Sequence, residues 1–332
     1  MNPHRLTAHF GSLRTTLALL ALLALVVLAR PAFAPLGIAL GLLALNLIAA
    51  LVVHPLLRRQ LPLLVFHLAL LALLVLVGVG RLAALDGRFE LTQGEPFDGH
   101  LLDQESGPLY RAPLQRLAFV QHGFEIDYAP GRQRGATRNR VSWRGADGAV
   151  RNAVIGDHRP LVIDGHRFYT TPNKGFAPLL RWLPERGQAL RGAVHLPSFP
   201  AHELRQSREW LLPDGREVWV MLHFEQTLID PKRADVFRVP GSHRLVLRIG
   251  TQRFELAPGE RIAIDGGALL YEGLRTWMGY RVAYDPTLPW LLAASLLAAL
   301  ALAWHYALKF FFGAPAPAPA PLRLAAPGVA DG

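Results

Sequence analysis

Apolar residues run almost unbroken through four stretches of the chain and alternate with polar ones through most of the rest. The four runs cover roughly 13–28 ("LRTTLALLALLALVVL"), 33–53 ("FAPLGIALGLLALNLIAALVV"), 61–82 ("LPLLVFHLALLALLVLVGVGRL") and 288–310 ("LPWLLAASLLAALALAWHYALKF"). About 20 apolar residues at about 1.5 Å each cross a hydrocarbon layer of about 30 Å, so each run predicts a transmembrane helix. The first run has the look of a cleaved leader. Only "RPAFAP" separates it from a second full run, which predicts a helical hairpin instead.

Residues 85–287 carry a different pattern. "FEIDY", "RFYTT", "VWVMLHF", "HRLVLRI" and "RFEL" are short, rich in β-branched and aromatic residues, and bounded by turn signals at Asp147-Gly148, Asp164-Gly165, Asp214-Gly215 and Asp265-Gly266. They predict an all-β, sandwich-like domain of two packed sub-sheets. No long amphipathic helix interrupts it. Residues 311–332, with "GAPAPAPAP" near their start, cannot bury a core and predict a disordered tail with polyproline-II character. The expected fold class is therefore a polytopic membrane protein. Four transmembrane α-helices are arranged 3+1, the first three within residues 1–84, and a large extracytoplasmic β domain lies between the third and fourth.

Charge sets the orientation. Arg5 and Arg14 flank the first run, Arg58 and Arg59 lie between the second and third, and Lys309 closes the fourth, whereas the loop between the first two holds only Arg30. The positive-inside bias then puts both termini in the cytoplasm and residues 85–287 outside. Trp290 and Tyr306 fall at opposite interfaces of the fourth run.

Composition adds exclusions. The 332 residues are 51% hydrophobic, with a net charge of +10. The basic residues are scattered and form no block interleaved with aromatics, which argues against nucleic acid as a partner. Cysteine is absent, which removes disulfides, thiolate metal sites and thiol redox chemistry. The eight histidines of the β region (His100, His122, His158, His166, His195, His202, His223 and His243) form no HxxxH, HxH or HExxH pattern. No GxSxG, P-loop or helix-opening GxGxxG occurs, so no catalytic group is expected and the chain does not read as an enzyme.

The polar residue that invites chemistry is His67, about six residues into the third run and so about 9 Å along a helix. Polar groups in hydrocarbon have a partner or a role. Hydrocarbon disfavours a charged ring, and the neutral imidazole is the form that ligates haem iron or another metal. A hydrogen bond to a neighbouring helix is the plainer alternative. His54 ends the second run and His305 lies near the inner end of the fourth, both close to an interface where histidine costs little.

Several stretches together resemble the ResB-like family, membrane components of cytochrome c biogenesis that work with a CcsA-type partner. "LNLIAALVVHPLLRRQLP" is similar to the family's second helix and basic loop. "FHLALLALLVLVGVGRLAALDGRFELTQGE" is similar to its third helix and first strand. "FEIDYAPGRQRGATRNRVSWRGADGAVRNAVIGDHRPLVIDGHRFYTTPNKG" is similar to its most distinctive soluble stretch, and "GLRTWMGYRVAYDPTLPWLLAASLLAAL" to its closing strand and last helix. The resemblance implies a bacterial inner-membrane protein with a periplasmic β domain that moves haem across the membrane for attachment to apocytochrome c. It implies transient haem b as cofactor, no metal beyond the haem iron, and His67 as an axial ligand. His305 is a possible second ligand and His54 a less favoured one. The seven tryptophans are dispersed, so the chain lacks the partner's tryptophan-rich haem-attachment segment and reads as a non-catalytic subunit. The competing reading is a membrane-anchored scaffold whose β domain holds an apoprotein or a membrane partner, with His67 as packing.

Overall fold

The computed structural model describes residues 10–29, 33–201, 205–212 and 214–311. Arg5, Arg30, His202 and the Pro/Ala-rich residues 312–332 lie outside that set. The chain forms two compact units, divided between Val79 and Gly80 and again between Pro286 and Thr287.

The helical unit contains α1 (Leu13–Ala29), α2 (Phe33–Val53), α3 (Pro55–Arg59), α4 (Leu61–Ala83) and α5 (Leu288–Phe311). The last residues of α4 run on into the second unit. Three segments are long and apolar enough to cross a bilayer: Pro35–Val53, Leu61–Ala83 and Leu288–Phe311. They make this a membrane protein by length and composition. The first predicted span corresponds to α1, a shorter apolar helix of 17 residues, at the lower end of spanning length.

The link between α2 and α4 is a one-turn helix with an extended residue on each side. Pro55 has no N–H to continue the ladder, and its ring disfavours a helical conformation at His54. His54 is accordingly extended (φ −97°, ψ 101°), and Gln60, two residues before Pro62, is extended too (φ −101°, ψ 105°).

The β unit holds three sheets in place of the two expected. The first runs β2 (Asp103–Ser106), β1 (Leu85–Thr92), β15 (Gly267–Tyr284), β7 (His166–Pro184), β6 (Leu161–Ile163), with β14 (Arg261–Ile264) on β15 and β8 (Leu190–Ala193) on β7. The second runs β13 (Gln252–Leu256), β12 (Arg244–Ile249), β10 (Glu217–His223), β9 (Ser207–Leu211). The third runs β11 (Asp235–Val236), β3 (Phe119–Ala129), β4 (Gln133–Arg144), β5 (Val150–Ile155). The extra sheet comes from local pairing: β3–β4–β5 closes on itself as a meander and stays separate from the long β7–β15 ladder. That ladder has register shifts at Tyr271/Gly273 and Met278/Tyr280, which let strands of this length bend.

All four Asp-Gly turns sit at hairpins, joining β4–β5, β6–β7, β9–β10 and β14–β15. At the β6–β7 turn, Ile163 pairs with His166, and Asp164 (φ 46°) and Gly165 (φ 78°) both take the left-handed backbone that a two-residue type I′ turn requires. The buried faces meet in one core. The rings of Phe89, Phe97, Phe119, Phe168 and Tyr280 pack together there, Phe89 stacked on Tyr280 at 5.1 Å between centroids. The core also contains a satisfied polar chain. Tyr280 Oη donates to Asn139 Oδ1 (2.6 Å), Asn139 Nδ2 donates to the Gly123 carbonyl (3.0 Å), and Gln121 Nε2 donates to the Leu91 carbonyl (3.2 Å). Burial pushes the Tyr280 phenol far above its ordinary pKa, so it serves this chain as a fixed donor.

Candidate functional site

α1 and α2 are locked together at one end by polar contacts in an otherwise apolar pair. Asn46 is 1% exposed. Its Oδ1 accepts from Thr16 Oγ1 at 2.8 Å, and its Nδ2 donates to the Phe10 carbonyl. About two turns further on, His54 Nε2 bonds the Gly11 carbonyl at 3.2 Å. The backbones touch here: a Cβ on Gly11 would lie 2.8 Å from the Ala50 nitrogen, so only glycine fits. Each backbone oxygen can only accept, so His54 spends its Nε2 proton on this anchor.

Between this pair and α4 lies a cavity of about 510 Å³. Its walls are largely leucines, drawn from α1, α2, α3 and α4. Its polar groups are Thr16, Asn46, His54 and His67. His67 is half-buried. Its Nδ1 lies 2.7 Å from the carbonyl of Leu63, one turn back on the same helix. A carbonyl cannot donate, so Nδ1 carries the proton. In a neutral ring the lone pair then resides on Nε2, the nitrogen farther from the backbone. A backbone-tethered Nδ1–H that fixes the tautomer is how metal-ligating histidines are commonly oriented.

The structure thus gathers His67 and His54 around one cavity and places His305 elsewhere. His305 lines a second crevice with Trp304 and Lys309 on α5 and with Gln60 and neighbouring residues of α3 and α4. A ligand held by His67 has His54 as its histidine neighbour within the cavity, and His54 already uses one nitrogen on Gly11.

Sequence reasoning passed over Asn46 and Thr16. The signal was present, since Asn46 is the one polar side chain in the 21 residues of α2. It also passed over a cluster in the β unit. His195 Nδ1 is 2.8 Å from Glu90 Oε2, and His195 Nε2 is 2.9 Å from Thr92 Oγ1. The Trp277 ring stacks on the imidazole at 5.1 Å and 11°, and its Nε1 donates to the Leu196 carbonyl at 3.0 Å. Glu90 and Thr92 share a face of β1 because strand side chains alternate. A carboxylate, an imidazole and a hydroxyl in line have the order of a nucleophilic triad. Thr92, however, is 2% exposed, which closes its hydroxyl to a substrate. The cluster is a cross-brace tying β1 to the segment after β8.

Residues 57–198 match the model of the ResB-like family, the family that the sequence motifs resemble. The matched segment includes His67 and the cluster at Glu90, Thr92 and His195. It points to a role in cytochrome c biogenesis. No curated protein matches the chain.

Proposed function

We propose that this protein handles haem in transit across the bacterial inner membrane, as the non-catalytic partner of a CcsA-type protein that attaches haem to apocytochrome c. The observation that carries the reading is His67. Its Nδ1 proton is tied to Leu63, its Nε2 keeps a lone pair, and it lines an apolar cavity inside a span of ResB-like sequence. Haem is the cargo, and its iron takes a neutral imidazole nitrogen as an axial ligand. The residues present fit such a group: a tautomerically fixed imidazole, leucine walls and a volume in the range of small-molecule sites. His67 holds the iron side of the cargo, and the leucines exclude water from it. His54 acts as the anchor of the α1–α2 pair. The second axial position is filled by a histidine of the partner: His305 faces another crevice, and His54 holds the α1–α2 pair together through Gly11. A site shared between subunits releases its cargo when they shift. Arg58 and Arg59 on α3 support a cytoplasmic location for the α2–α4 link and a periplasmic β unit.

The test is haem co-purification with the partner. His67→Ala should abolish haem content and c-type cytochrome assembly while the protein still inserts, and added imidazole should restore part of both. His54→Ala and His305→Ala should retain haem. Wild-type haem and cytochrome c levels in His67→Ala would make the imidazole a packing residue, and the scaffold reading would replace this one.

A further inference from the structure

The helical unit has a charge imbalance that its own chain does not correct. Residues 1–85 and 287–330 contain no Asp or Glu. Arg58, Arg59 and Lys309 therefore have no carboxylate partner among the described residues of the unit. Lys309 lines one crevice, and Arg58 and Arg59 lie in the α3 turn beside it. Lys309 lines the cavity of about 840 Å³ on one side, while Leu57 and Gln60, which immediately flank Arg58 and Arg59, line it on the other. The rest of the crevice is mostly apolar, with a few donors. Leu56, Leu61 and Leu308 supply hydrocarbon, and the Gln60 amide and Trp304 indole supply N–H groups. Trp304 is largely exposed, as expected of a ring at the membrane–water boundary.

We infer that this crevice binds the phosphate headgroup of an anionic phospholipid. A ligand for it must bring negative charge and acceptor oxygens at one end and hydrocarbon at the other. A phosphodiester lipid has that division, and it is the anion a transmembrane helix end meets at high local concentration. Lys309 and the two arginines neutralise the phosphate, Gln60 and Trp304 donate to its oxygens, and the leucines receive the first methylenes of the acyl chains. Basic pockets between helix ends recognise lipid headgroups in this way. The crevice also gives His305 a setting apart from the cavity of His67. The inference does not depend on the haem reading.

The full-length protein, reconstituted in nanodiscs and then extracted into mild detergent, should retain phosphatidylglycerol in native mass spectrometry and lose phosphatidylcholine. Lys309→Gln should weaken retention about fivefold, and adding Arg58→Gln and Arg59→Gln should weaken it by a similar factor each, from about 1 kcal/mol per cation. Lys309→Arg should keep it, which separates charge from packing, and millimolar inorganic phosphate should not displace the lipid. Equal retention of phosphatidylcholine would overturn the proposal, as would undiminished retention in the triple variant. Displacement by inorganic phosphate would mark a free-phosphate site instead. Displacement by haemin in His67→Ala protein would mark a carboxylate port. The His67→Ala protein itself should hold phosphatidylglycerol like wild type, so loss of haem and loss of lipid are read independently.

Discussion

Two histidines, one in each unit, show opposite ways of accommodating an imidazole. In the β unit His195 has both nitrogens bonded, one to Glu90 and one to Thr92, with the Trp277 ring laid over its face. In the helical unit His67 has one nitrogen bonded, and to a carbonyl of its own helix. The first ring is consumed by the fold. The second is oriented by the fold and left with an unused lone pair facing a cavity. A buried polar group whose hydrogen bonds are complete is evidence of structure, and one held in a single orientation with capacity to spare is evidence of a ligand.

The sharpest way to break this contrast is to remove each ring in turn and read stability beside haem. His195→Ala deprives Thr92 of its described hydrogen-bond partner while it remains buried, and it removes the stacked face of Trp277. The cost should be about 2–4 kcal/mol, seen as a fall in the urea midpoint with an unchanged slope, and haem content should persist. His67→Ala should do the reverse: the Leu63 carbonyl keeps its place in the helix ladder, so the melting temperature barely moves while haem is lost. If His195→Ala costs nothing, the cross-brace is not structural and the comparison fails from that side.

A smaller effect is expected at Asn46. Its amide joins Thr16 and the Phe10 carbonyl across the α1–α2 pair. Polar contacts between helices in lipid contribute about 0.6–2 kcal/mol. Asn46→Ala should lower stability in detergent by about 1 kcal/mol, and it should loosen the α1–α2 end of the His67 cavity, weakening haem retention without abolishing it. Unchanged thermal stability would show that the pair is held by apolar packing and the Gly11 contact alone.

These contrasts were unequally legible in the sequence. The long helices were readable because twenty apolar residues in a row have few other uses, and the hairpins because Asp-Gly is the turn that a two-residue loop selects. His67 stood out because the helix around it was so uniform. The Glu90–Thr92–His195 brace did not, since His195, in an irregular segment, lies more than 100 positions from its two partners on β1, and no local pattern ties them. The third sheet was hidden for another reason: strands are visible one at a time, and the pattern of β3, β4 and β5 does not say whether their meander joins the long β7–β15 ladder or stays separate from it. The pairing of His67 with His54 around one cavity, with His305 outside it, likewise depends on helix rotation, which hydrophobic runs with apolar residues on every face do not encode.

The weakest expected effect is also the one that tests whether a completed histidine behaves as structure in solution. His166 is 2% exposed, its ring stacked on Tyr284 at 4.4 Å. Its Nδ1 donates to the Asp164 carbonyl at 3.1 Å, and its Nε2 accepts from Tyr110 Oη at 2.9 Å. Burial pushes the Tyr110 phenol up to about 12, so it remains the donor throughout the accessible range. Burial also holds the His166 imidazole below its ordinary pKa, although backbone contacts at Asp164 and Ile163 oppose the shift. The unfolded chain therefore takes up a proton near pH 6.5, before the folded one does. The stability this site contributes is complete above about pH 6.5 and is lost as the pH falls through the lower folded value. The half-buried His243 acts with the same sign. The melting temperature should decline from pH 6.5 to 5.5, below the range in which the buried Lys174, lowered to about 8 by burial, takes up its proton, with a shallower decline in His166→Phe. A melting temperature that rises on acidification over that window would mean that the folded β unit, not the unfolded chain, binds the extra proton. The completed imidazoles would then be poised to titrate, and the contrast with His67 would disappear.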